Sequence, residues 1–347
     1  MEKNIRYNKI IGTGGIGKGM LFHSSEMRTL GRSESRLVHL SDAKDYCKQQ
    51  IVLYYARALL EEEVNVYPIG YVGADSTGDK LIHEMEQDGM ETGYIGQAEC
   101  HPTMISVCIQ YPDKEGCNIT AINSAAVDVT PEYILENMKK IEVDRLSIVA
   151  AIPEVSVESR IAMLKYGKSK EAFCVLSVPA AEASIFLEKQ AFTYCNLLAV
   201  NEEEARAILE RDYEGEILAE ELCRKLKQQN PDLILVITCG DKGAYSVVDF
   251  QVEHIPPFPG QIVNTTGAGD AFLGGMIAGL AMGMKIQKGR NDAFFGETRL
   301  TGAAELGAIC AGMAIESKDS ISREVTSENI MKRIEKEGWG TAAWFTR

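Results

Sequence analysis

Asn264-Thr265-Thr266-Gly267-Ala268-Gly269-Asp270-Ala271-Phe272 runs directly into an apolar helical stretch, Leu273–Met282. A Gly-Ala-Gly turn at a helix start leaves backbone N–H groups without intrahelical partners. The helix dipole adds partial positive charge at the same spot, so the turn suits an anion. Small residues also let a phosphate approach the backbone closely. Asp270 places one carboxylate there. An acid beside an anion site is costly unless it has work to do, and the work it suggests is taking a proton from a hydroxyl. The stretch therefore describes a site that moves a phosphoryl group onto an alcohol. A plainer reading gives Asp270 to the helix dipole and the glycines, with Gly274, Gly275 and Gly279, to close helix packing.

Working outward, short β-rich runs alternate with helical patterns. Strands are expected at Lys9–Ile11, Val64–Val72, Leu146–Ile152, Ala172–Val178, Leu197–Val200 and Leu233–Thr238, and helices at Asp45–Glu62, Asp79–Gly89, Ile161–Lys170, Asn201–Leu209 and Leu218–Gln229. This alternation implies a doubly wound α/β fold, a mostly parallel sheet with helices on both faces. Thr103–Gln110 and Gly116–Ile122 break the rhythm. Tyr-Pro-Asp-Lys-Glu between them forms a turn, so they predict a hairpin beside the core, a small β-lid over the strand ends. A second hairpin, Leu233–Thr238 to Ala244–Val248, is expected to close the parallel part. One domain over residues 1–347, with lid segments at approximately 12–40 and 100–125, is the simplest organisation.

Composition narrows the partners. The chain has 347 residues, 45% hydrophobic, with a formal net charge of −14 and a pI near 5.0, which disfavours nucleic acid. No apolar run reaches membrane-spanning length and the start has no apolar signal core, so no membrane partner and a cytoplasmic location are expected. Nine cysteines without a Cys-x-x-Cys pair point to reduced thiols.

Other motifs carry double meanings. Asn201-Glu-Glu-Glu204 follows a strand and reads as a helix cap with its reciprocal Glu, or as a carboxylate supporting magnesium through water. Thr238-Cys-Gly240-Asp-Lys-Gly243 is a glycine-rich turn that leaves backbone bare for a nucleotide. Gly73-Ala-Asp75-Ser-Thr-Gly78 reads as a turn and helix cap. Gly12-Thr-Gly14-Gly-Ile-Gly17 matches G-x-G-x-x-G, and with Lys18 nearly a P-loop. Gly19 stands where a magnesium-binding Ser or Thr belongs, and the following residues are poor helix formers. A flexible turn at a site mouth fits better. Arg28, Arg32 and Arg36 cluster in the lid segment, as surface charges or as readers of an acceptor carboxylate or phosphate.

Taken in order, these motifs resemble the PfkB carbohydrate kinase family, the ribokinase-like kinases. Asn264–Asp270 is similar to the family's D-T-T-G-A-G-D signature, Asn201-x-x-Glu204 to its N-x-x-E, Thr238-x-Gly240-x-x-Gly243 to its T-x-G-x-x-G, and Gly73-x-Asp75-x-x-Gly78 to its V-G-x-D-x-x-G. The resemblance spans roughly residues 5–335 and implies an ATP- and Mg2+-dependent transfer of phosphate to a hydroxyl of a sugar-like or nucleoside-like small molecule. In it Asp270 is the base and the N–H groups of Gly267, Ala268 and Gly269 form the anion hole. Asn201, Thr266, Thr238, Gly240 and Gly243 meet the nucleotide, Glu204 holds magnesium, and the helix around Gly302–Ala314 flanks adenine. Relatives commonly add a monovalent cation near the signature, at a place the resemblance does not fix here. Two departures fall on the substrate side. The family's G-G-x-x-x-N run is missing, replaced by Ser41-Asp-Ala-Lys-Asp-Tyr-Cys-Lys-Gln-Gln50, and Gly12–Gly19 offers no acid after the first strand. Substrate residues thus stay unassigned. A nucleoside kinase and a non-catalytic sugar or nucleotide sensor are the competing readings. An exposed lid edge suits pairing between two copies, which makes a homodimer an expectation.

Overall fold

Ile10 and Ile11, consecutive in the chain, belong to two separate hydrophobic cores. Successive strand side chains face opposite ways, so a strand buried on both faces sorts the helices into two layers. The computed structural model describes residues 5–113, 116–287 and 302–337. The first part holds β1 (Lys9–Thr13), β2 (Gly17–His23), β3 (His39–Leu40), β4 (Asp45–Tyr46), α1 (Lys48–Leu60), β5 (Asn65–Gly73), α2 (Ser76–Gln87), β6 (Ile95–Ala98), β7 (Met104–Gln110) and β8 (Gly116–Thr120). The middle holds α3 (Pro131–Lys140), β9 (Ser147–Ala151), α4 (Val157–Ser169), β10 (Phe173–Leu176), α5 (Ala183–Glu188), β11 (Leu197–Asn201), α6 (Glu202–Leu209) and α7 (Gly215–Leu226). Then come β12 (Ile234–Thr238), β13 (Ala244–Val248), β14 (Gln251–Ile255), α8 (Ala268–Ala281), α9 (Ala303–Ala314) and α10 (Ser327–Lys336).

Among the described residues the main sheet has nine strands in the order β14-β13-β12-β11-β10-β9-β1-β5-β6. Its pairs from β6 to β12 are parallel, and β13 and β14 add antiparallel edges. α1, α2, α8, α9 and α10 cover one face, α3 to α7 the other. The expected doubly wound α/β fold is therefore present, including its closing hairpin. Asp75, Thr130, Ser156 and Thr326 start α2, α3, α4 and α10 by accepting first-turn N–H groups, the ordinary use of such side chains. α8 is buried along almost its whole length. Gly274 would put a Cβ 2.5 Å from Val52 O of α1, and Gly275 one 2.5 Å from Cys310 Sγ of α9, so the packing reading holds for these glycines.

The smaller sheet, in the order β3-β2-β7-β8 with β4 beside β2, forms the lid. β7 and β8 make the expected hairpin. Two expectations change. The segment Asp45–Glu62 is not one helix: Asp45 and Tyr46 pair with Gly19 and Lys18 at the lid. Helical dihedrals begin only after Cys47, whose backbone is extended at φ −71 and ψ 156. Secondly, Gly17 opens a lid strand rather than a helix, so the Gly12–Gly17 turn lacks the helix N-terminus that dinucleotide and P-loop sites need. Asp75 does more than cap α2. Its carboxylate also takes the N–H and hydroxyl of Thr103, fastening the start of β7.

Candidate active site

In the main sheet β1 lies between β5 and β9, so the connections leave it in opposite directions. Such a switch point opens a crevice at the carboxyl ends of the strands. The motifs gather along that edge. Asn201 ends β11 directly opposite Thr238, which ends β12. Asn201 Oδ1 accepts the Glu204 N–H and Glu204 Oε2 accepts the Asn201 N–H, both at 2.8 Å, so the capping box is complete. Glu204 Oε1 lies outside it, 3.7 Å from Lys48 Nζ. Beyond Thr238, Gly243 at φ +87 presses against the Ile255 carbonyl, whereas Gly240 at φ +57 has nothing within 4 Å of where a Cβ would stand. Gly243 thus holds the turn and Gly240 faces open space.

The α8 start has the same character. Asn264 accepts the Thr266 N–H and donates to Lys318 O, each bond close to 3 Å, which fixes the approach to the helix. Gly267 turns the chain at φ +81, a left-handed conformation that favours glycine. No side chain caps α8, and a Cβ at Gly269 would meet nothing within 4 Å. The Ala268 N–H closes a turn on Thr265 O at 3.2 Å, and open space lies beside Gly269, next to Asp270 in that same turn. Thr266 sits under the lid, beside Cys108 of β7.

Charge in the cleft is lopsided. Enclosure pushes the Asp270 pKa up to about 6; Lys48 opposes the shift, and Glu204 and Asp45 add to it. Burial also raises Glu204, against Lys48 and the Asn201 N–H. Lys48 opens α1, and although burial opposes its charge, Asp270, Glu204 and Glu154 raise its pKa. Its ammonium pairs with Glu204 at 3.7 Å and its charge acts on Asp270 and Glu154.

Glu154 was missed by sequence reasoning. Burial drives its pKa up to about 7, with Lys48 opposing and Asp270 adding. It stands at φ +78, a conformation a glutamate rarely adopts and one that concentrates at functional sites. Its buried Oε2 has no hydrogen-bond partner. Gly15 leaves room for it, since a Cβ there would fall 2.8 Å from that oxygen. The available signal was position alone, a carboxylate just past an apolar strand on the ligand edge. The arginines resolve differently. Arg28 and Arg36 both pair with Glu34, so their charge is spent inside the lid.

These residues suit ATP with magnesium. Gly240 and Gly269 leave backbone cradles that side chains would fill. No cluster of three or more metal-binding side chains occurs among the described residues, and a single carboxylate with one oxygen outside its cap fits an ion that keeps most of its water.

The fold is a doubly wound α/β sheet whose cleft, at the carboxyl ends of the strands, lies under a β-lid. Residues 51–326 match the pfkB family carbohydrate kinase profile, and the chain belongs to that family. It is 28% identical over 223 residues to the ribokinase of Bacillus subtilis (strain 168), covering 64% of this chain and 70% of that one. Its fold resembles ribokinase from Giardia lamblia, with a TM-score of 0.77 at 16% identity over 93% of this chain and 99% of that one. It also resembles Arabidopsis thaliana ribokinase complexed with ribose and ATP, with a TM-score of 0.70 at 15% identity over 95% and 99%.

Proposed function

We propose that the protein transfers the γ-phosphoryl group of ATP to a hydroxyl of a sugar-like small molecule. The observation that carries this reading is Asp270, an acid poised near pH 6, in the uncapped first turn of α8. A base with a pKa near the working pH combines an ionised fraction with real proton affinity. Asp270 takes the proton of the acceptor hydroxyl as the acceptor oxygen attacks the γ-phosphorus in line, the bond to the bridging oxygen breaks and ADP leaves. The N–H groups of Gly267, Ala268 and Gly269 stabilise charge on the transferring group. Lys48 holds Asp270 and Glu204 in place and offsets their charge. Thr266, Asn201, Thr238, Gly240 and Gly243 hold the nucleotide, and α9, packed along α8, flanks adenine. Glu204 holds Mg2+ through water; bound there, the ion neutralises phosphate charge and orients the triphosphate.

The whole chain, 1–347, is read as one domain with the lid as its insertion. The lid's outer face supports a homodimer. Leu40, Ile105 and Ile119 are exposed there and lie on one side of the sheet by register, an apolar patch of the kind that marks an interface. No described helix is long and apolar enough to cross a membrane, and a cytoplasmic setting completes the proposal.

The test is an ATP-coupled screen over neutral sugars, polyols, sugar acids and nucleosides. Turnover with a sugar or polyol supports the reading, and turnover with nucleosides alone replaces it with a nucleoside kinase. Tight ATP or sugar binding with no turnover on any acceptor replaces it with a sensor.

A further inference from the structure

Asp45 is a carboxylate in the cleft to which this chemistry gives no role. Asp45 in β4 is only 8% exposed. Its Oδ1 accepts the Tyr46 N–H at 3.0 Å, an N–H that Ser320 Oγ also accepts at 3.1 Å. No basic side chain pairs with it among the described residues. A buried acid without a cation is expensive, so its retention needs a reason. Its surroundings supply one. Asp45 stands opposite Gly19, Gly19 opposite Ser106, and Ser106 opposite Thr120, so one register row crosses four lid strands. A Cβ at Gly19 would fall on the Asp45 carboxylate; the glycine leaves the space that the acid occupies. Ser106 Oγ lies 2.5 Å from Asn118 Oδ1 and 3.2 Å from Thr120 Oγ1, continuing the row with hydroxyls. The row faces the cleft. Cys108, two residues beyond Ser106, lies beside Thr266, and Met104, two before it, touches Cys47 at 3.5 Å. The charge of Asp45 is felt at Asp270 itself.

We infer that Asp45 binds the acceptor, accepting hydrogen bonds from its hydroxyls at the cleft face of the lid. This rests on the kinase reading and narrows its substrate class. With Asp45 on the lid side and Glu154 on the strand side of Asp270, the acceptor is an uncharged polyhydroxylated molecule. A carboxylate or phosphate on it would meet three acids, with Arg28 and Arg36 paired to Glu34 and Arg32 exposed on the lid surface. Lys48, the cation facing this cluster, is engaged with Glu204.

The experiment uses the full-length protein, ATP, and a panel of D-ribose, D-fructose and D-arabinitol beside the matching aldonic acids. Wild type is expected to phosphorylate a neutral member and to reject the acids. Asp45→Asn, which keeps the Tyr46 contact, is expected to raise the acceptor KM about 10-fold or more, the scale of a lost charge-assisted bond. The KM for ATP and the melting temperature should stay near wild type. Gly19→Ala, which displaces the carboxylate without removing it, should reproduce the rise. Wild-type turnover with an unchanged acceptor KM in both variants overturns the role of Asp45 and leaves the kinase reading standing. A wild type that prefers aldonic acids overturns the substrate class, and one that phosphorylates nothing overturns both readings.

Discussion

The two sides of the cleft are made of different materials. The phosphoryl side is backbone: an uncapped helix start at Gly267–Asp270, an open turn at Gly240, and a helix cap at Asn201 with its partner Glu204. The acceptor side is side chains, with Asp45 from β4, Ser106 and Thr120 from β7 and β8, and Glu154 from beyond β9. Backbone sites need a few residues in fixed succession, whereas the acceptor side is assembled by register and topology across more than a hundred residues of chain. Phosphate is the same in every such reaction, and the acceptor is what differs. Local motifs serve the constant partner and scattered side chains serve the variable one.

Substitutions can separate the sides. The largest effect is expected from Gly269→Asp. Nothing lies within 4 Å of its Cβ position, so the fold should persist, yet a second carboxylate would stand in the anion hole. Turnover should fall on the order of 10³-fold with little change in melting temperature, the scale of losing oxyanion-type donors. Glu154→Gln should raise the acceptor KM about 10-fold while sparing the KM for ATP, since a buried carboxylate bond to a hydroxyl is worth that much. Gly240→Ala should do the reverse and more gently, raising the KM for ATP about 5-fold and costing about 1 kcal/mol, because φ +57 is left-handed. Steady-state kinetics with each substrate varied in turn decides both. If either variant moved both KM values together, the division of labour would fail.

The smallest effect is on stability, and its sign follows from the raised acids. Protonation of Asp270 and Glu154 is favoured in the folded state up to about pH 6 and about pH 7. Their contribution to stability is complete below the unfolded carboxylate range and is lost as pH rises through those values. Glu154→Gln should therefore raise the melting temperature of the ligand-free protein at pH 8 by about 2 °C or more and change it little at pH 4. Thermal melts at the two pH values read this directly. A variant less stable than wild type at pH 8 would contradict it.

Legibility followed the same division. The sheet, both hairpins and the glycine turns could be read because each rests on periodicity or on a backbone need within a few residues. Asp45 could not. Its neighbours Ala43, Lys44 and Lys48 look helical, and only pairing with Gly19, far upstream, makes it a strand residue in the cleft. Glu154 had no motif around it, and its unusual φ has no sequence signature. Lys48 fell inside the expected Asp45–Glu62 helix with no motif to mark it, and only the fold brings the charges of Glu204, Asp270 and Glu154 to bear on it. Long-range register hides what short-range pattern cannot encode.

Both sides meet at Asp270, where the acceptor oxygen must lose its proton as it reaches the phosphorus. The decisive measurement is transfer of labelled γ-phosphate from ATP to the best neutral acceptor by wild type and by Asp270→Asn, alongside ATP affinity by calorimetry. Turnover in Asp270→Asn should drop on the order of 10²-fold or more while ATP still binds. Equal transfer by the two proteins would remove Asp270 as the base and, with it, the account of how the two sides work together.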